Sequence, residues 1–161
     1  MNNLWSEIKR VFANGSILTR IIIINLAVFA ALNILHVILF LFSPDAVSVA
    51  LTMLKIENWF SVPGSFSELA SKPWAPVTYM FLHKDFLHIV FNMLWLFWFG
   101  RIFLSYLDEK KFLGVYLIGG LSGALVYMLA YNIFPAFSNY VSISMMMGAS
   151  ASVMAIVFAI S

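Results

Sequence analysis

Four blocks of apolar residues, separated by polar connections, make up most of the 161-residue chain. The first, at 21–42, carries no charge and is as long as the roughly 20 apolar residues that cross a bilayer as a helix, so it predicts a membrane span. Further apolar blocks predict spans at about 77–99, 112–134 and 148–161. The pattern therefore predicts an all-α membrane protein, a polytopic helical bundle with a single membrane domain at 21–161.

Two polar segments suggest structure of their own. Residues 1–20 mix apolar side chains with Glu7, Lys9 and Arg10, the pattern of a short amphipathic segment lying in the membrane interface. A disordered tail is an equally open interpretation of this segment. The connection from 43 to 75 is long for a loop, and its apolar pieces predict short elements at the membrane surface.

Composition narrows the class of protein further. The chain is 63% hydrophobic and 10% charged, whereas soluble domains are about 45–50% apolar and about 25% charged. The absence of cysteine excludes disulfides, thiolate metal sites and a cysteine nucleophile. A net charge of +2 is too small to indicate nucleic-acid binding, and the basic residues at the ends of the apolar blocks fit lipid headgroups instead.

Lysine and arginine are divided unevenly between the two sets of connections. A cytoplasmic N-terminus places the larger group inside, which is the usual bias of membrane proteins. The second and fourth spans then both enter from the outer surface, so their first turns lie at a similar depth. The inside group is Lys9, Arg10, Arg20, Arg101, Lys110 and Lys111, and the outside group is Lys55, Lys72 and Lys84.

Three polar residues near these first turns are candidates for chemistry. His88 and Asn92 are four residues apart, which places both side chains on one face of a helix. Ser150 lies between small residues that leave its hydroxyl and the backbone accessible. A nucleophile beside hydrogen-bond donors is what acyl transfer requires. The alternatives are a packing serine that bonds back to its own helix and a polar pair that only joins helices.

The segment 74–94 resembles the loop-to-second-helix signature of rhomboid intramembrane serine proteases. It contains a Thr-Tyr-Met-Phe-Leu-His lead-in at 78–83 and then the His-x-x-x-Asn pair, followed by Phe-Gly-Arg and a glycine-rich third span. The sequence Gly-Ala-Ser at 148–150 resembles the family's Gly-x-Ser nucleophile motif. The resemblance is close over 74–161 and extends to 21–71 only as a general layout.

The resemblance implies a mechanism and its residues. Ser150 would be the nucleophile, and His88 and Asn92, with the Ser150 backbone N–H, would hold the oxyanion. The family needs no metal or cofactor and has six core spans, of which four are expected here. Its base histidine lies on the sixth span, so we expect the chain alone to be inactive. The implied substrates are transmembrane proteins in the lipid bilayer, cleaved near the outer face. The composition is compatible with a bacterial inner membrane, which is the expected location.

Two positions depart from the family pattern. Ala75 stands where the family has the arginine of a Trp-Arg pair, and Ala151 stands where it usually has glycine, which we expect to crowd packing against a later helix. These departures and the missing base leave open a rhomboid-like pseudoprotease that binds membrane proteins without cutting them. A transporter or channel subunit would need ionisable groups at mid-membrane, and the centres of the four blocks carry no charge.

Overall fold

The computed structural model describes residues 3–161, and its elements are almost all helical. In the predicted 1–20 segment, Met1 and Asn2 lie outside the described residues. Two short 3-10 helices, Tyr79–Phe81 and Pro135–Tyr140, interrupt the chain. The other elements, in chain order, are α1 (Leu4–Asn14), α2 (Ile17–Phe42), α3 (Ala46–Phe60), β1 (Val62–Pro63), α4 (Phe66–Ala70), α5 (Ala75–Thr78), α6 (Phe86–Tyr106), α7 (Glu109–Ile133), β2 (Met145–Met146) and α8 (Ser150–Ala159).

Three helices within residues 3–161, α2, α6 and α7, are long and apolar enough to cross a membrane. The polytopic all-α prediction is confirmed, but the expected fourth span at 148–161 corresponds to α8, which has only 10 helical residues. At 1.5 Å per residue such a helix covers about half of the roughly 30 Å hydrocarbon layer. The described chain therefore holds three spanning helices and one shorter apolar helix.

The first span packs against the bundle mainly through its first half. Its buried residues, Leu18, Ile21 and Asn25, recur at helical spacing and face α6 and α7. Toward its other end the side chains are exposed, up to 86% for Phe42. An apolar surface of this size is stable in lipid but not in water, because water would have to solvate every one of these side chains.

The second span begins later than the sequence predicted. Its helix, α6, starts at Phe86 rather than near 77, because Asp85 caps it by accepting the His88 N–H at 2.8 Å. The preceding apolar run forms α5 and a 3-10 turn, in which Tyr79 and Met80 are fully buried. That run is apolar because it packs inside the protein rather than against lipid.

Helix α8 packs against the glycine-rich face of α7. A methyl group on Gly119 would lie 2.2 Å from the Ala155 Cβ, and one on Gly123 would lie 2.4 Å from the Ala151 Cβ. Small residues thus meet small residues on both helices, and the two backbones approach closely. The sequence-based prediction that Gly119 and Gly123 admit a neighbouring helix is confirmed.

The long connection after α2 is ordered by contacts of its own. Lys72 is only 3% exposed, and its Nζ donates to the Asn58 carbonyl at 2.8 Å and pairs with Glu68 at 2.9 Å. Its strand β1 pairs antiparallel with β2, which ties the connection to the segment before α8. The predicted short elements are present, as α3, α4 and β1.

The first helix is tied to the first span. Arg20 of α2 donates to the carbonyl oxygens of Phe12 at 3.0 Å and Ala13 at 2.9 Å, near the end of α1. These bonds satisfy two carbonyls that have no partner within the helix. The segment is therefore helical at 4–14, while its place in the membrane interface stays a prediction.

Replacing Gly119 with alanine is expected to destabilise the protein by about 1–3 kcal/mol, because the new methyl would collide with Ala155 at the closest helix contact. Gly114→Ala is the matched control on the same helix, since a methyl there meets nothing within 4 Å. The control should be neutral or gain up to about 1 kcal/mol of helix propensity. Thermal unfolding in detergent micelles measures both variants. Equal melting temperatures would contradict the proposed packing.

Candidate functional site

The backbone between β2 and α8 is held by hydrogen bonds to the segment before α6. The Gly148 N–H donates to the Tyr79 carbonyl at 2.9 Å, and the Ala149 N–H donates to His83 Nε2 at 3.4 Å. Tyr79 is itself fixed, because its hydroxyl donates to the Gly120 carbonyl of α7 at 2.6 Å. The backbone that leads into Ser150 is thus held in place at two successive peptide groups.

Gly148 occupies a position that only glycine fills without strain. Its φ of +119° lies in a region that residues with a Cβ rarely adopt. A methyl group there would also lie 2.6 Å from the His88 Cε1. The backbone therefore turns toward Ser150 while pressing against the His88 ring.

Ser150 is the first residue of α8 and is exposed. At this position its backbone N–H has no acceptor within the helix. Among residues 3–161 no hydrogen bond to the Ser150 hydroxyl is found, so the hydroxyl is not engaged by its own helix. Both polar groups of this residue are available to a bound molecule.

The three predicted site residues line a single groove between α6 and α8, with a volume of about 230 Å³. His88 is half-buried, and Asn92 is buried one turn below it. The Asn92 Nδ2 donates to the His88 carbonyl at 3.0 Å, which fixes the amide and leaves its second N–H free. The remaining walls of the groove are apolar: Phe91, Trp95, Val153 and Met154.

His83 is a residue whose part in the site the sequence analysis missed. It is buried, its ring meets the His88 ring edge-on with centroids 5.1 Å apart, and its Nδ1 has no hydrogen-bond partner among the described residues. Burial, and next the charge of nearby His88, lowers the pKa of His83 from 6.5 to about 4. The imidazole is therefore neutral at pH 7, as an acceptor from Ala149 must be. In the sequence, only its position five residues before His88 indicated that His83 belongs to the site.

The two departures from the family pattern both lie in packed surroundings. Ala75 is fully buried, while the adjacent Trp74 donates its Nε1 to the Trp59 carbonyl at 2.9 Å and packs on the Trp59 ring. The Ala151 methyl faces Gly123 of α7 rather than a surface open to a later helix, which differs from the expectation. Neither alanine enters the groove beside Ser150.

Comparison with known proteins gives one family. The family model described as Rhomboid domain matches residues 70–161, more than half of the chain. The matched region begins before α5 and includes the groove and all three candidate site residues. Neither the curated proteins nor the solved structures gave a match.

Acidification is expected to destabilise the fold through His83. The unfolded chain takes up a proton on this residue near pH 6.5, while the folded chain resists until about pH 4. Stability should therefore fall as the pH drops through that window, because the unfolded state binds more protons. Of the groups beside the ring, His88 adds to the lowering of the His83 pKa and Asp85 opposes it.

The measurement is the apparent melting temperature in detergent micelles between pH 7 and pH 4, for the wild type and His83→Asn. The variant should melt lower at pH 7 and lose part of the pH-dependent fall. His36→Asn, at an exposed histidine of α2, is the control and should keep the wild-type pH dependence. If His83→Asn retained the whole fall, the burial of a neutral His83 would not be its cause.

Proposed function

The chain belongs to the rhomboid family, and from that membership we propose that it carries the nucleophile and oxyanion-binding groups of an intramembrane serine endopeptidase. The substrates would be transmembrane proteins, cleaved near the outer membrane face. The observation that carries the proposal is the shared groove of Ser150, His88 and Asn92, with an exposed serine hydroxyl at the start of a helix.

The proposed chemistry is acyl transfer. The Ser150 Oγ attacks the scissile carbonyl carbon as its proton passes to a general base, and the C=O π electrons move onto the oxygen to form an oxyanion. That oxyanion accepts hydrogen bonds from the Ser150 N–H, the free Asn92 N–H and the His88 ring. Donors held in place before the reaction stabilise the transition state without having to reorganise. The C–N bond then breaks, the amine leaves with that proton, and water releases the acyl group from Ser150.

A serine hydroxyl needs a general base to become a good nucleophile. None of the three histidines in the sequence has that position. His36 lies on the exposed face of α2, His83 accepts from Ala149, and His88 is assigned to the oxyanion. We therefore expect the base to come from outside these 161 residues, and the chain alone to be inactive.

The second candidate function is a rhomboid-like protein that binds membrane proteins without cleaving them. The observation that favours it is the lack of a base among these histidines, together with the alanines at 75 and 151. A fluorophosphonate probe separates the two candidates when the native downstream sequence is present. Labelling at Ser150 supports the protease, and no labelling supports the binder.

Ser150→Ala is expected to abolish cleavage of a transmembrane substrate by the protein carrying its native downstream sequence, because the attacking oxygen is lost. Ser152→Ala is the matched control: this serine lies on the same helix but is buried against α7, with its hydroxyl unpartnered. The control should cleave at near the wild-type rate. Cleavage that survives Ser150→Ala would remove Ser150 from the mechanism.

Asn92→Ala is expected to lower kcat by about 10²–10³ with a much smaller change in KM, because its free N–H would bind the oxyanion only in the transition state. Asn33→Ala is the control: Asn33 bonds to the carbonyl four residues earlier, as Asn92 does, but lies on the exposed surface of α2. Steady-state cleavage in micelles, by the protein carrying its native downstream sequence, measures both variants. An equal effect of the two substitutions would mean that Asn92 serves only helix stability.

A further inference from the structure

Arg101, near the end of α6, is a cation without an anionic partner in the part of the chain that the structure describes. Other basic residues are engaged: Arg20 caps α1, Lys72 pairs with Glu68, and Lys111 pairs with Asp108 at 3.3 Å. Among the residues described, the Arg101 guanidinium has no carboxylate or hydrogen-bond acceptor and lies 5.4 Å from the centroid of the Phe97 ring. Its hydrogen-bonding capacity is therefore open.

Two grooves adjoin Arg101. The larger, about 460 Å³, lies between the start of α2 and the end of α6, and the other is about 410 Å³. Arg101 and Ser105 line both. Beside the larger groove, Leu18 of α2 packs directly on Gly100, where an added methyl would lie 2.7 Å from the Leu18 side chain. The helices touch at that point and the arginine lies beside the contact.

The larger groove has a polar mouth and apolar walls. Ser16 and Thr19 share one hydrogen bond at 3.2 Å, so one of their two hydroxyl hydrogens remains free to donate. The walls below are Phe97, Leu104 and Leu18, and the second groove adds Trp98 and Ile102. Donors above an apolar surface suit a molecule with a charged head and a hydrocarbon tail.

The depth of the site fits the level of lipid phosphates. Arg101 lies five residues before the end of α6, about 7–8 Å along the axis, and Ser16 directly precedes α2. This is the boundary of both spans, where an arginine side chain extends to the headgroup layer. A guanidinium presents a planar fork of donors that matches a phosphate, which a lysine ammonium does not.

We propose that this pair of grooves binds the phosphate of an anionic phospholipid. Arg101 and the free hydroxyl of the Ser16 and Thr19 pair donate to the phosphate, and an acyl chain lies over the apolar walls. The inference concerns a different part of the chain from the groove beside Ser150 and does not depend on the proposed protease activity. Basic residues in general attract anionic lipid by about 1 kcal/mol each, and the experiment must separate this general attraction from specific binding at Arg101.

The test is native mass spectrometry of the full chain in neutral detergent, titrated with phosphatidylglycerol. Arg101→Gln should weaken binding about tenfold, the loss of a charge-assisted hydrogen bond. The affinity of Arg101→Lys for the lipid should lie between those of the glutamine variant and the wild type, because lysine keeps the charge and loses the planar fork of donors. The control is Lys110→Gln, which removes an exposed cation at the start of α7, outside both grooves, and should weaken binding by no more than about fivefold, the general electrostatic effect of about 1 kcal/mol.

Two further arms identify the ligand. Phosphatidylcholine should bind at least about tenfold more weakly than phosphatidylglycerol, and inorganic phosphate should not displace the lipid at equal concentration. Equal losses in Arg101→Gln and Lys110→Gln would reduce the effect to general electrostatics and overturn the site. Displacement by inorganic phosphate would assign the groove to a soluble anion, and equal binding of phosphatidylcholine would overturn the requirement for anionic lipid. Melting temperatures near the wild-type value confirm that the variants are folded.

Discussion

The structure depends on the satisfaction of non-helical backbone where the chain turns into α8. Peptide groups that leave a helix near the hydrocarbon layer must find partners inside the protein, because lipid offers none. The partners here are the Tyr79 carbonyl for Gly148 and the His83 imidazole for Ala149. Since Tyr79 is also bonded to Gly120, the short segment before α6 joins α7 to the start of α8. These bonds hold the backbone immediately before Ser150.

The sequence predicted what local chemistry determines. Runs of apolar residues identified the spanning helices, the spacing of Gly119 and Gly123 identified a close helix contact, and the first turns of α6 and α8 were expected at a common depth. The shared groove agrees with that expectation. These features need only periodicity, residue size and the direction of each helix.

Features that depend on distant pairing escaped prediction. The run before α6 is as apolar as a membrane span, so composition alone extended the second span back to 77, whereas its burial against α7 follows from the tertiary fold. The β1 and β2 strands lie far apart in sequence and are two residues each, too short to leave a pattern. His83 is polar like an exposed residue, and only the position of Ala149 makes it a buried acceptor.

The departures from the family pattern have separate physical consequences. Ala75 is fully buried, while Trp74 beside it is held by Trp59. Ala151 places its methyl group against Gly123, the one kind of residue that admits it at that distance. The second departure is thus matched by a glycine on the opposite helix, and neither disturbs the groove.

The hydrogen bonding of Ser150 bears on the alternative that this residue is a packing serine bonded back to its own helix. Polar side chains inside the spans commonly bond to the carbonyl four residues earlier, and Asn25, Asn33 and Asn132 all do so. Ser150 begins its helix, so the residues before it are not helical and offer no such carbonyl. Its hydroxyl stays unpaired beside Asn92 and the half-buried His88. Ser152 on the same helix is also unpaired among the described residues, but it is buried against α7. Ser150 differs from it by being exposed and by sharing a groove with Asn92 and His88, which favours a role toward a bound carbonyl.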